Sequence, residues 1–166
     1  TDASTKAYVD SVANGLDVKN SVKVATTTNG TLSSAFANGQ TIDGVTLSTG
    51  DRILLKNQTT GSENGIYTVN SSGAPTRAED FDTDTEVTAG AFTFIEEGTI
   101  NGNNGFVVIS DDPVTVGTTS ITFQQFSGAG QILEGDGLEK DGNTLSVKLD
   151  GTTISASSSG IKLNDT

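Results

Sequence analysis

The chain contains no cysteine, histidine, tryptophan or methionine. Without Cys and His, disulfides, zinc sites, thiol nucleophiles and imidazole bases are excluded. The missing cysteine fits any redox compartment and so locates nothing. Cationic residues are scarce too: Lys and Arg number 9 against 21 Asp and Glu, for a formal net charge of −12. That balance disfavours nucleic acid, whose phosphates need basic partners, and it disfavours insertion at anionic membrane surfaces. Acidity of this size keeps an exposed protein soluble. No apolar run approaches the roughly 20 residues of a membrane-spanning helix. No signal peptide is expected within these residues, and the first residue, Thr1, is not an initiator Met. The chain stops after Asp165-Thr166, where a further turn would be expected. We expect it to be a piece of something longer.

What is present is turn and strand chemistry. Gly numbers 20 and Pro only 2, with abundant Thr, Ser, Asn and Asp, which describes an all-β chain with many tight turns. The bulky residues are unevenly placed. Every Phe lies between Phe36 and Phe126, which marks a central domain with a Phe-rich core between two lean flanks. The expected organisation is a short helical collar or linker over 1–20, a central β domain over 21–129 and a thin β shaft over 130–166. A core of that kind is large enough to stand without metal on size grounds.

Neither flank can fold alone. In the C-terminal segment short runs alternate apolar and polar: Leu145, Val147 and Leu149, then Ile154, then Ile161 and Leu163. Asp141-Gly142-Asn143, Asp150-Gly151 and Ser157–Gly160 punctuate them as turns. The segment has no aromatic residue, and a lone hairpin does not bury even one face. Identical chains wound or stacked together would cover these rows. The N-terminal flank is the one helical candidate. Ser4 or Thr5 is its N-cap, Tyr8, Val9 and Val12 have helical spacing, and Asn14-Gly15 is a stop signal. A helix of this length is marginal in isolation and also needs partners. The expected self-association surface is therefore Tyr8, Val12, Leu145, Val147, Leu149, Ile161 and Leu163, where identical chains intertwine or stack.

The centre reads as strands and turns. Strands are expected over Ser21–Thr26, Arg52–Lys56, Ile66–Val69, Ala91–Glu96, Phe106–Ser110 and Ser120–Phe126. Asp43-Gly44 inside Thr41–Leu47 is a hairpin signal. Two of the hairpins match at a constant offset of 40: Gly50 on Gly90, Leu54-Leu55 on Phe94-Ile95, Thr59 on Thr99, Asn64-Gly65 on Asn104-Gly105, and Ile66-Tyr67 on Phe106-Val107. Duplication and convergent hairpin grammar both explain that match. A sandwich or squat barrel built of hairpins is the expected result.

Few residues carry chemistry. Glu79, Asp80, Asp82, Asp84 and Glu86 form an acidic run in which Asp80, Asp82 and Asp84 copy the first ligand spacings of a calcium-binding loop. Thr85 stands where that loop needs Gly, and Ala91 where it needs Glu. These three Asp are candidates for a cation, against a solvated acidic loop as the bland alternative. Glu96-Glu97 and Asp111-Asp112 are adjacent acids, and adjacent strand residues point to opposite faces, unlike the acid pair that flanks a sugar bond. Ser and Thr have no His to activate them. Tyr67 is an aromatic candidate for sugar stacking, with a core role as the alternative. No cofactor and no enzymatic activity are expected.

The stretches TIDGVTLSTGDRILLKNQTTGSENGIYTVN (Thr41–Asn70), TRAEDFDTDTEVTAGAFTFIEEGT (Thr76–Thr99) and ITFQQFSGAGQI (Ile121–Ile132) resemble a module of bacteriophage tail-fibre proteins. STKAYVDSVANGLDVKNSVKVAT (Ser4–Thr26) is similar to the lead-in of such fibres, and 130–166 resembles their shaft repeats. One departure is Ala74-Pro75 before Thr76-Arg77, where such modules often carry Trp. The resemblance implies a structural virion component, extracellular and usually homotrimeric. Its implied partners are identical chains, adjoining fibre or baseplate proteins and, in an alternative reading as a receptor-binding module, a host-surface glycan. A polysaccharide-degrading tailspike fragment and a bacterial surface adhesin are further alternatives.

Overall fold

The computed structural model describes residues 17–127, 137–141, 144–148, 154–157 and 160–163. The expected N-terminal helix, with Tyr8 and Val12, and the expected interface residue Leu149 lie outside the described residues. The chain divides into two units, 1–127 and 128–166. The elements are mostly strands, with one short helix, so the all-β expectation holds.

In the first unit, β1 (Asp17–Val18) and β2 (Val24–Ala25) come in quick succession but belong to different sheets. The single strand expected over Ser21–Thr26 is instead a seam between them. Val22 donates its amide to the Phe94 carbonyl at 2.9 Å, while Lys23 donates to Arg52 at 2.8 Å. Backbone groups of successive extended residues point to opposite sides, so one short stretch can satisfy both sheets. Val22, Val24 and Ala25 are completely buried there.

A helical turn α1 (Leu32–Ala35) and a small hairpin, β3 (Thr41–Ile42) with β4 (Val45–Thr46), follow β2. Asp43 and Gly44 close the hairpin with φ of 47° and 81°, the pair of positive values that a tight primed turn requires. The remaining strands are β5 (Arg52–Leu55), β6 (Gly65–Thr68), β7 (Thr76–Arg77), β8 (Ala91–Phe94), β9 (Gly105–Val108) and β10 (Phe123–Ser127). Sheet I has the order β2-β5-β6-β7 and sheet II the order β1-β8-β9-β10. In each, a parallel lead strand joins an antiparallel hairpin, and a fourth antiparallel strand closes the set.

The core between the sheets takes Leu54 and Ile66 from sheet I and Ala91, Phe106 and Val108 from sheet II. Phe81, Val87, Val114 and Ile121 fill it from the connections. Both sheets contribute to one core, and neither sheet closes on itself as a barrel would. The Phe residues are less central than expected. Phe36, Phe81 and Phe106 are buried, whereas Phe94 and Phe126 are exposed. Much of the core is instead Val, Ile and Leu, which fit a pleated surface.

The second unit contains two separate antiparallel hairpins: β11 (Leu138–Asp141) with β12 (Thr144–Val147), and β13 (Ile154–Ser157) with β14 (Gly160–Leu163). Leu145 and Val147 lie on β12, and Ile161 and Leu163 on β14. Leu138 stands opposite Val147, and Ile154 opposite Leu163.

Candidate functional site

The matched hairpins of the sequence correspond to the matched sheets I and II, with one correction to their register. Leu55 pairs with Gly65 and Phe94 with Gly105, so the offset is 40 on the second strand but 39 on the first. The loop before Gly105 is one residue longer. A shift of one residue exchanges the two faces of a strand, so Leu55 corresponds to Phe94 rather than to Ile95. Asparagines fasten both loops. Asn64 donates to the Ile121 carbonyl and accepts from the Gln58 amide, and Asn104 donates to the Ile100 carbonyl.

With the register set, the outer faces of the two sheets can be compared position by position. On sheet I the outward row is Val24, Ile53 and Tyr67, with Leu55 and Val69 beside it. Every one of these is buried, because Phe36 and Leu47 cover them, with Leu32, Ala35, Ile42 and Val45 packed alongside. The cover is the segment between β2 and β5. Tyr67 is thus a core residue, and its hydroxyl donates to the Glu63 carbonyl at 2.8 Å. Burial pushes its phenol above the ordinary value.

On sheet II the corresponding row is Val18, Phe92 and Val107, with Phe94 and Ile109 beside it. Val18 is 67% exposed, Phe94 40% and Ile109 50%. Phe126, 56% exposed, sets its ring edge-on to Phe92 with centroids 4.5 Å apart. This places Phe126 on the same face, at the bulge where β10 slips between Gln125 and Ser127. The outward strand positions carry no charged residue. The result is a contiguous apolar sheet face that nothing among the described residues covers, of the kind that marks an interaction surface. Sequence reasoning missed it. The usable signal was the alternation Phe92, Phe94 and Val107, Ile109, whose outward parity becomes visible only once the register of β8 is known.

The acidic run gathers no cation site. Asp80 receives Arg52 Nη2 at 2.9 Å and the Asn20 amide at 3.1 Å. Asp84 accepts the Val116 amide at 2.8 Å. Asp82 turns to Glu86, whose carboxylate also accepts the Thr83 hydroxyl at 2.8 Å. That hydroxyl holds Glu86 below the ordinary carboxylate range, and the hydrogen bond with Glu86 pushes Asp82 up. The three candidate ligands are thus engaged by three different partners. Among the described residues no group of three or more Asp, Glu, His or Cys is placed to hold a metal.

Two concavities are polar. Asn20, Ser21, Lys23, Asp51, Arg52, Glu96 and Glu97 line an open cleft of about 540 Å³. Lys23 is paired with Asp51 at 2.8 Å, which raises the Lys23 amine, and Glu96 accepts the Ser21 hydroxyl. A smaller pocket of about 260 Å³ lies between Thr26–Gly30 and Gln40–Asp43. Its aromatic member, Phe36, is buried and offers no open ring face.

Of the residues expected to meet other chains, Val147 and Ile161 are exposed, as are Leu138 and Ile154 on the facing strands. No helix among the described residues is long and apolar enough to cross a membrane. No protein-family model, no curated protein and no solved structure matches the chain.

Proposed function

We propose that the chain is a non-enzymatic structural segment of a bacteriophage tail fibre, and that it works outside the cell as a homotrimer. In this reading it joins the virion to host-recognition elements, with adjoining fibre or baseplate proteins as its neighbours. One observation carries the self-association. The second unit has two-stranded hairpins whose apolar residues Leu138, Val147, Ile154 and Ile161 stand exposed. Such hairpins are marginal in water, and identical hairpins around an axis would bury one another's rows. The viral assignment rests on the resemblance of 41–70, 76–99 and 121–132 to fibre modules.

Two measurements test the reading. Light scattering on the intact chain is expected to return three times its 17.0 kDa mass at micromolar concentration. Antibodies to the chain are expected to decorate the tail fibres of the parent phage in electron micrographs. A single-chain mass removes the structural reading, and decoration elsewhere on the particle removes the fibre assignment.

A further inference from the structure

We propose that the outer face of sheet II, built from Val18, Phe92, Phe94, Val107, Ile109 and Phe126, is where identical chains meet along the first unit. The inference rests on the self-association reading and adds a location to it.

Three observations favour a copy of this chain as the occupant. First, the sister face shows what such a row does when it is satisfied. Val24, Ile53, Leu55, Tyr67 and Val69 occupy the same positions on sheet I and are all buried under the segment between β2 and β5. Sheet II has no counterpart to that segment, because the corresponding stretch between β1 and β8 contains sheet I itself. Its row therefore needs a cover from elsewhere.

Second, both flanks continue directly from the edge strands of this sheet. Residues 1–16 lead directly into β1, and β10 ends at Ser127, the last residue of the unit. β1 and β10 are the two edge strands of sheet II. If each flank associates with its copies, the tethers on both sides draw this sheet, rather than sheet I, towards the neighbouring chains.

Third, the chemistry suits like meeting like. Each chain carries a formal net charge of −12, so copies repel wherever acidic surfaces approach. The outward positions of β8 and β9 are Phe92, Phe94, Gly105 and Val107, and β10 adds Gln124 opposite Val107. This face carries no charge to repel, and the Phe92–Phe126 ring pair gives it aromatic area. Around a three-fold axis each residue of the face recurs once per chain at one level.

The absence of native cysteine allows a direct test. Phe94→Cys places a single thiol on the face, and Thr49→Cys places one in the exposed turn before β5. Each intact variant is treated with a bulky maleimide while its mass is read by light scattering. We expect a trimer in which the thiol at position 94 reacts at least about tenfold more slowly than that at 49, the protection expected of a buried interface. Should Phe94→Cys fail to fold, Val18→Cys probes the other end of the row, where the parent side chain is 67% exposed. A trimer with equal reactivity at both positions overturns this proposal and leaves self-association standing. A single-chain mass overturns both, and slow reaction in that case assigns the cover to the chain's own residues.

Discussion

Sheet I and sheet II share strand order, strand directions and the same five outward apolar positions, yet one row is core and the other is surface. The difference lies outside both sheets. Residues between β2 and β5 fold into α1 and the β3-β4 hairpin, and their Phe36 and Leu47 close over sheet I. Sheet II has no such insert. Strand pattern alone therefore specifies that a face is apolar, not what covers it. The cover comes from connecting segments or from another chain.

The largest expected contrast is between matched substitutions. Leu55→Asp places a carboxylate among the buried apolar side chains under the cover of sheet I. Burying a charge in such a row costs several kcal/mol, so the first unit should be strongly destabilised. Phe94→Asp puts the same group at the matched position of sheet II. It should change single-chain stability by less than about 1 kcal/mol and instead lower the assembled mass. Urea unfolding and light scattering on both variants check the pair, and equal loss of fold would erase the distinction.

Removing part of the cover should come next. Leu47 is 1% exposed, and Leu47→Ala should destabilise the first unit by about 2–5 kcal/mol, as large-to-small core changes do. It should also make Tyr67 more accessible, readable as a shift in tyrosine fluorescence. A value near zero would mean that the cover contributes little.

A smaller effect is expected at the seam between the sheets. Arg52 on β5 reaches Asp80 and the carbonyls of Asn20 and Ser21. Arg52→Ala should cost about 1.5–3 kcal/mol in urea unfolding, the range for hydrogen bonds to charged groups. Arg52→Lys should recover only part of this, because a lysine lacks the fork. Full recovery would show that charge alone suffices.

The smallest effect is at Lys56, whose amine lies 5.0 Å from the Phe106 ring centroid and donates to Asn57. Burial lowers its pKa below the ordinary 10.5. Between that lowered value and 10.5 the unfolded chain holds a proton that the folded chain has released, so this group makes stability rise with pH across the window. Lys56→Met removes the group. Its stability relative to the parent should therefore fall over the same alkaline window, measured by urea unfolding at several pH values. A constant difference would mean that Lys56 is not desolvated.

Much of the fold was legible in the residues. Asp43-Gly44 named its turn, and Ile66-Tyr67-Thr68 and Phe106-Val107-Val108 lie on strands as expected. What escaped depends on distant pairing. Val22–Ala25 looks like one strand, and only the two sheets on either side split its hydrogen bonds. Phe94 looks like core because it is aromatic and sits in a strand. A loop one residue longer than that of its sister hairpin turns it outward. The acidic run was legible as acidic, but Arg52 and the Val116 amide, which divide its members, are far away in sequence.

The central claim is that the sheet I row is closed within the chain while the sheet II row is closed by other chains. Its most direct test is the melting temperature of the intact chain over a hundredfold range of protein concentration, alone and with Phe94→Asp. Association stabilises by mass action, so the parent's melting temperature should climb with concentration, and Phe94→Asp should reduce that climb. A parent melting temperature independent of concentration would contradict the account.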